Sequence, residues 1–386
     1  ERWDRELTAE NLFRIQGELA RAVVAALEGE LRGVGGMSSD DAPTRDLEAY
    51  RLHATGRTHL EQRTAAGMAR AAELFRESID RDDAYAAAWA GLAEASALRV
   101  SYQQAPSDAS LDDASLDEAE QAARRAIDLA PKSAEGHVAL GLIHMVRRRG
   151  PRALRCLRTA VRLQPGSARA QSMLAFTLGP LGRWEEGARH MERAARLDPM
   201  SPEIQFGMAE RYTIAEPPGD RFLAHARRAR ELSPAYAEAY LLEGRILTDA
   251  GRPEEGLAAI RRGLPLATEA TRARHLFSLV HATVAAGRTE EARRVLAELR
   301  AQDAPFFEAS VLGMLGDLDG AFSRFGAADW SPLHSYHLRY DPALAGIRRD
   351  ARCRDLLGEV DRAWGLEPDG IGDDTRTRTT PRDRSG

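Results

Sequence analysis

The sequence contains very little cysteine, lysine and asparagine. Its two cysteines, Cys156 and Cys353, are far apart and lie in no Cys-x-x-Cys or other metal-type spacing, so we expect small neutral side chains rather than metal ligands or a disulfide. Lys132 is the only lysine and Asn11 the only asparagine, so arginine carries almost all of the positive charge. This skew is typical of a GC-rich genome and excludes no function by itself.

Long apolar stretches are also absent. No run approaches the ~18 residues that a membrane-spanning helix requires, and no signal-peptide pattern is present. The chain begins at Glu1 without a methionine, so we expect more sequence upstream, and the missing membrane segment describes these 386 residues alone. We expect a cytoplasmic location, with the periplasm as the alternative if a membrane helix precedes this region.

Catalytic signatures are missing as well. The sequence has no glycine-rich phosphate loop, no Gly-x-Ser-x-Gly elbow, no His-Glu-x-x-His and no set of kinase motifs. Two histidine pairs have helical spacing, His334 with His337 and His137 with His144. Neither pair has a third candidate ligand, so ordinary surface or interface histidines are expected. We therefore expect no catalytic residue, no metal site and no cofactor here.

The overall charge is nearly balanced. The chain has 54 basic and 59 acidic residues, a net charge of −5, which argues against a general polyanion-binding protein. A chain of this length would hold two or three compact domains, or one long array of about eight repeated units. The internal repetition of the sequence favours the array.

A six-residue signature, Ala-x-x-Leu-x-Pro, recurs four times in the middle of the chain. Its prolines, at Pro131, Pro165, Pro199 and Pro234, are 34, 34 and 35 residues apart. A fixed period near 34 is typical of a helical solenoid. Within one period, apolar residues at helical spacing precede and follow a turn at Gly150, so each period is predicted to be a helix hairpin.

Small residues recur at matching points of these hairpins. Successive first helices carry Gly141, Ala175, Ala209 and Gly244, and successive second helices carry Ala126, Ala160, Ala194 and Ala229. Two helices approach closely only where side chains are short. Proline then ends each second helix, because it has no backbone N–H and clashes with the preceding turn.

Three of the hairpin turns share the phrase Gly-Arg-x-Glu-Glu, which begins at Gly182, Gly251 and Gly287. Glycine is expected to supply the left-handed residue at the end of the first helix, and the paired glutamates favour the N-terminus of the next. We interpret both features as structural.

With this period, these small residues and the closing proline, the sequence resembles the tetratricopeptide repeat; Trp89, Leu92 and Ala93 also match the first-helix half of that pattern. The resemblance implies an all-α fold, a right-handed α-solenoid of about eight helix hairpins with flanking N- and C-terminal helices. It also implies a non-enzymatic scaffold that binds a protein or peptide in its concave groove.

Composition divides the rest of the chain. Residues 33–45 are rich in Gly, Ser and Asp and are predicted to be a flexible linker, residues 46–330 the repeat array, residues 331–366 a C-terminal capping segment, and residues 367–386 a disordered tail. The second hairpin has extra polar residues at about 102–116. These form either a tolerated surface loop or a loop that contacts a partner.

Residues 1–32 contain an amphipathic helix with Leu12, Ile15 and Leu19 on one face. This segment is similar to the end of the TolB-like domain that precedes tetratricopeptide arrays in bacterial signalling proteins, which carry a kinase, a nucleotide cyclase or a CadC-type DNA-binding domain upstream. The resemblance implies a scaffold or sensor module in such a protein. The alternative is an array that regulates an upstream serine/threonine kinase or nucleotide cyclase.

First helices line the concave groove in the resembled family. Projecting the repeat predicts these groove residues: Val138, Leu142, Ser172, Phe176, Phe206, Glu210, Leu241 and Arg245. A mostly apolar groove with a few charges suits an extended or helical peptide. The alternative is that several of these residues only pack between adjacent repeats. A carboxylate clamp of asparagine and lysine, as in chaperone-binding relatives, is not expected, because Lys132 and Asn11 lie outside the groove.

Positive charge is concentrated between Gly136 and Trp184, where the sequence has nine arginines and no acidic residue. Five of the nine form a stripe on one second helix: Arg148, Arg152, Arg155, Arg158 and Arg162. The stripe is a solvated face, or it binds an acidic partner such as residues 112–117 of this chain, or it contacts nucleic acid. No aromatic residues are interleaved for base stacking, which disfavours nucleic acid. We expect partner binding in the groove, because arginines on a convex face are easily solvated.

Overall fold

The computed structural model describes residues 44–103, 109–211, 219–328, 330 and 332–364, and these residues form an all-α repeat fold. Nineteen α-helices and two short 3₁₀ segments account for the regular structure, and no strand occurs within these ranges. The predictions for the TolB-like segment, most of the linker and the C-terminal tail lie outside the described residues.

Sixteen of these helices form eight consecutive hairpins. The hairpins are α1 (Leu47–Glu61) with α2 (Ala65–Arg81), α3 (Ala86–Gln103) with α4 (Ala109–Leu129), α5 (Glu135–Val146) with α6 (Gly150–Leu163), α7 (Ala168–Leu178) with α8 (Trp184–Leu197), α9 (Pro202–Glu210) with α10 (Asp220–Leu232), α11 (Ala237–Asp249) with α12 (Pro253–Gly263), α13 (Glu269–Ala285) with α14 (Thr289–Arg300), and α15 (Pro305–Met314) with α16 (Leu318–Phe325). The all-α repeat fold predicted from the 34-residue period is confirmed.

The turns within hairpins use a left-handed residue. Gly182, Gly251 and Gly287 have φ of 78°, 77° and 74°, as the repeated turn phrase predicts. After Gly251, the backbone N–H of Arg252 donates to the carbonyl of Leu247 at 2.9 Å, and this hydrogen bond closes the C-terminal end of α11. The third hairpin has Arg148 at this position, with φ of 56°.

Small residues allow the close approach of helices that the sequence predicts. A Cβ atom at Gly141 would lie 2.6 Å from Leu157 on the second helix, and one at Gly244 would lie 2.4 Å from Ile260. Ala160 and Ala194, on second helices, are completely buried. Larger side chains at these points would push the two helices of a hairpin apart.

The extra residues of the second hairpin extend its helices. Helix α3 continues to Gln103 and α4 begins at Ala109, so residues 109–116 of the predicted polar insertion are helical. The physical reason is an apolar side to this helix, because Leu116 and Ala119 are buried in the core.

The array closes on itself. Helix α3 of the second hairpin contacts α13 of the seventh. The Ser233 hydroxyl donates to the carbonyl of Gln62, 171 residues away in the chain, at 3.3 Å. Helix α11 is buried on every side from Ala237 to Thr248. Because α3, α11 and α13 are all first helices, this closure covers much of the side where a groove is expected.

Residues 332–364 pack on the last hairpin. They form α17 (Pro332–Tyr340), a short turn at Pro342–Leu344, α18 (Ala345–Arg348) and α19 (Ala351–Trp364). Ile347 and Leu357 join the same apolar core as Phe325. These residues therefore cover the apolar side of the final repeat. A solenoid requires such a cap at its end.

Candidate partner-binding surfaces

Most of the eight predicted groove residues are buried inside the closed array. Val138, Leu142, Ser172, Phe206, Leu241 and Arg245 are between 1% and 8% exposed. Phe176 and Glu210 are half-buried. The structure thus brings six of the residues into packing contacts, while their peptide-binding role stays a prediction.

Five charged side chains meet across the inside of the array, and we call them the lumen charge cluster: Arg57, Arg63, Glu94, Arg169 and Glu203. Arg57 Nη1 and Arg169 Nε both donate to Glu94 Oε2, each at 2.9 Å. Arg63 pairs with Glu203, which also lies 3.3 Å from Arg169 Nη1. The cluster joins the first, second, fourth and fifth hairpins.

A cavity of about 60 Å³ lies beside this cluster and is also lined by Ser172 and Ile204. Such a volume holds a few water molecules and cannot admit a peptide. Burial alone would raise the pKa of Glu203, but Arg63 and Arg169 offset this and hold it below its ordinary value. Glu203 is therefore ionised at neutral pH, and both carboxylates of the cluster are paired with arginines, as burial requires.

The predicted groove residue Arg245 contacts the C-terminal segment. Its Nη2 lies 2.7 Å from Asp341 Oδ2, and both side chains are almost fully buried. His337 Nδ1 is 3.5 Å from the same oxygen. Burial would raise the pKa of Asp341, but Arg245 and His337 hold it far below its ordinary range. A partner reaches Arg245 only if this ion pair separates.

The predicted arginine stripe lies on the outer side of α6. Arg152, Arg155, Arg158 and Arg162 are exposed, and Arg148 is half-buried in the turn before the helix. Arg158 Nη2 is 3.4 Å from Glu186 of the next outer helix. In the predicted acidic segment, Asp117 pairs with Arg147. Glu120, three residues later, lies 2.5 Å from the same guanidinium group. These described acidic residues therefore contact an arginine beside the stripe.

Two sets of charged residues were not predicted from the sequence. The lumen charge cluster has no local signal, because Glu94 and Arg169 are 75 residues apart. In contrast, Arg189 and Arg196 on the outer side of α8 follow Arg155 and Arg162 by one 34-residue period. Projecting the period onto the stripe would have found them.

Other chemistry is sparse in the described residues. They contain no group of three or more His, Cys, Asp or Glu side chains that would hold a metal ion, and no helix long and apolar enough to cross a membrane. The ring of His334 stacks on Phe306 with centroids 4.3 Å apart. Cys156 and Cys353 are free, and burial raises the pKa of the Cys353 thiol to about 11, so it is protonated and unreactive at neutral pH.

Comparison with known proteins supports the repeat. A sequence model of the tetratricopeptide repeat matches residues 107–168. No curated protein sequence matches the chain. Among solved structures, a chain of the APC/C hetero-tetramer Cut9–Hcn1 has a TM-score of 0.56 and 15% sequence identity, covering 89% of this chain and 59% of its own length. A thermophilic tetratricopeptide-repeat protein of Thermus thermophilus, TTC0263, has a TM-score of 0.40 and 18% identity, covering 52% of this chain and 98% of its own.

The similarity to Cut9–Hcn1 is at the level of the fold, since the identity is low. It agrees with the eight hairpins, and the family match falls on the second and third of them. The matched family model identifies a tetratricopeptide repeat at residues 107–168, and the sequence period and the hairpin architecture show that the described residues form an all-α repeat fold.

Proposed function

We propose that this chain is a non-enzymatic protein–protein interaction scaffold, the C-terminal part of a larger bacterial signalling protein, and that it binds a peptide or protein segment on its concave side. The tetratricopeptide repeats support the scaffold role. The signalling context is supported by the resemblance of residues 1–32 to the end of a TolB-like domain. The same resemblance supports the alternative, regulation of an upstream serine/threonine kinase or nucleotide cyclase.

The proposal of a binding site on the concave side is supported by the polar character of the contacts that cross the array. The first hairpin meets the fifth through the pair Arg63–Glu203 and through a hydrogen bond to Gln62. Separated ions regain hydration, so opening an ionic contact costs less than exposing an apolar one of the same size. The closed array therefore opens at the lumen charge cluster to admit a partner.

Opening would expose Phe176, which lies one helical turn after the cavity-lining Ser172 on α7. Phe176 is half-buried and packs against three separate apolar clusters of the core. Glu210, at the end of α9, is half-buried as well. An aromatic anchor with a charge nearby suits a mixed apolar and basic peptide.

The test is selection of peptides from a displayed library on the full chain, followed by affinity measurements on variants. Phe176→Ala should weaken the selected peptides by tenfold or more, about 2 kcal/mol for a buried aromatic anchor, with little dependence on salt. Phe307→Ala, a half-buried phenylalanine of the eighth hairpin, is the matched control and should leave affinity unchanged. Equal loss in both variants, or a failure to select any peptide, would reject the concave site.

A further inference from the structure

A second surface of this protein is built from arginine. Six side chains on the outer sides of α6 and α8 make up what we call the convex arginine face: Arg152, Arg155, Arg162, Arg189, Arg193 and Arg196. Those on α8 are spaced by four and three residues, so they share one side of the helix. The opposite side of α8 buries Met191 and Ala194.

The two helices form one continuous surface. Arg158 of α6 reaches Glu186 of α8 at 3.4 Å. Arg158, Arg189 and Arg193 all lie near His190, whose pKa is lowered by burial and further by these three arginines. The arginines of both helices are therefore near neighbours.

These six guanidinium groups have no carboxylate partner in the described part of the chain. Nearby acids are engaged elsewhere: Glu186 pairs with Arg183 as well as Arg158, and Glu192 lies 2.9 Å from Arg211. Glu185, at the start of α8, is the remaining acid on either helix. Because arginine keeps its proton at any physiological pH, this positive charge is permanent.

The outer helices of later hairpins show what such arginines bind. Arg288 donates to Glu254 at 2.6 Å across neighbouring hairpins, and Arg261 pairs with Glu291 in the same way. In both cases a carboxylate in the first turn of an outer helix meets a guanidinium of the neighbouring hairpin. The six guanidinium groups of the convex arginine face are donors of the same kind and have no such carboxylate among the described residues.

We propose that the convex arginine face binds an acidic helix of a partner protein, with carboxylates spaced by three and four residues on one side. Ten residues separate Arg152 from Arg162, about 15 Å along α6 at 1.5 Å per residue. An acidic helix repeats its carboxylates over the same distance, so several pairs form in register. Single-stranded nucleic acid fits less well, because the described surface offers one exposed aromatic, Trp184, at the far end of α8.

The test uses the full chain and two fluorescent synthetic helices of identical composition. One carries its glutamates on a single side at three- and four-residue spacing, and the other distributes them around the helix. The first should bind at least about tenfold more tightly, and its affinity should fall as salt shortens the screening length to ~8 Å. Fluorescence anisotropy provides the affinities, and circular dichroism shows that each variant is folded.

Variants locate the surface. Arg155→Glu with Arg189→Glu should lower affinity for the patterned helix by about tenfold or more, because like charges would then face each other. The matched control, Arg76→Glu with Arg294→Glu, makes the same charge change on exposed arginines of α2 and α14 that also lack a carboxylate partner, and should have no effect. Equal binding of the two helices, equal losses in the two double variants, or tighter binding of single-stranded DNA than of the patterned helix would each overturn the proposal.

Discussion

At the residue scale, the turn at Gly251 isolates the energetic effect of a single backbone conformation. Gly251 has φ of 77°, and nothing lies within 4 Å of the position where a side chain would begin. Gly251→Ala therefore adds no contact and removes none. We expect it to lower the free energy of unfolding by about 1 kcal/mol, because a residue with a side chain is strained in the left-handed conformation. Denaturant unfolding followed by circular dichroism measures this.

Arg148 provides the reverse experiment, because it already occupies the left-handed position with φ of 56°. Arg148→Gly should be more stable than Arg148→Ala by about 1 kcal/mol, since both lose the arginine side chain and only glycine adopts this φ without strain. An alanine variant as stable as the glycine variant would contradict this explanation of the turn.

At the scale of elements, the small residues of second helices set how closely a hairpin packs. Ala160 is completely buried, so Ala160→Leu has no room for three added carbon atoms. We expect a loss of roughly 1–3 kcal/mol from overpacking. Thr159→Leu, at the half-buried neighbouring position, is the control and should cost much less. Comparable losses would mean that the site relaxes freely, against the steric interpretation of the repeat.

A buried ion pair joins the C-terminal segment to α11. Asp341→Ala leaves Arg245 charged and buried without that carboxylate, and we expect it to cost about 3 kcal/mol. The double variant with Arg245→Met also removes the buried positive charge, so it should be more stable than Asp341→Ala alone. Hydrogen exchange of residues 332–364 would show the loss at this end of the molecule. Additive effects of the two substitutions would argue that the pair is not coupled.

At the scale of the whole molecule, stability should fall on mild acidification. Burial lowers the pKa of seven histidines: His53, His137, His144, His190, His225, His275 and His281. For His53 the pKa falls from 6.5 to about 4. Below pH 6.5 the unfolded chain binds protons that the folded chain does not, so stability is complete above that pH and decreases toward pH 4. Glu135, whose pKa is raised by burial, acts in the opposite direction.

The measurement is the unfolding midpoint between pH 7.5 and pH 4.5. His53→Gln should reduce the slope of stability against pH, because it removes a histidine whose pKa falls from 6.5 to about 4 in the folded chain. Glu135→Gln is the comparison variant and should make the slope steeper, because it removes a group that acts in the opposite direction. Stability that rises on acidification over this range would show that the buried histidines do not control it.

The repeats were predictable from sequence because their determinants are local. Gly251 acts through its own backbone conformation and Ala160 through its burial between helices of one hairpin or the next, so a 34-residue period records both. The closure of the array was not predictable, since Arg63 meets Glu203 only through small rotations summed over several hairpins. For the same reason, projecting the repeat named Arg245 as a groove residue but did not show that Asp341, 96 residues later, covers it.

The contact between distant hairpins also affects how the chain folds. An open solenoid propagates from any nucleus through short-range contacts, without a large loss of chain entropy at any step. The contact between Gln62 and Ser233 joins residues 171 apart in the chain, so it forms only after the intervening hairpins have stacked. We infer that helices form quickly during refolding, whereas docking of α3 on α13 is a separate, slower and concentration-independent phase.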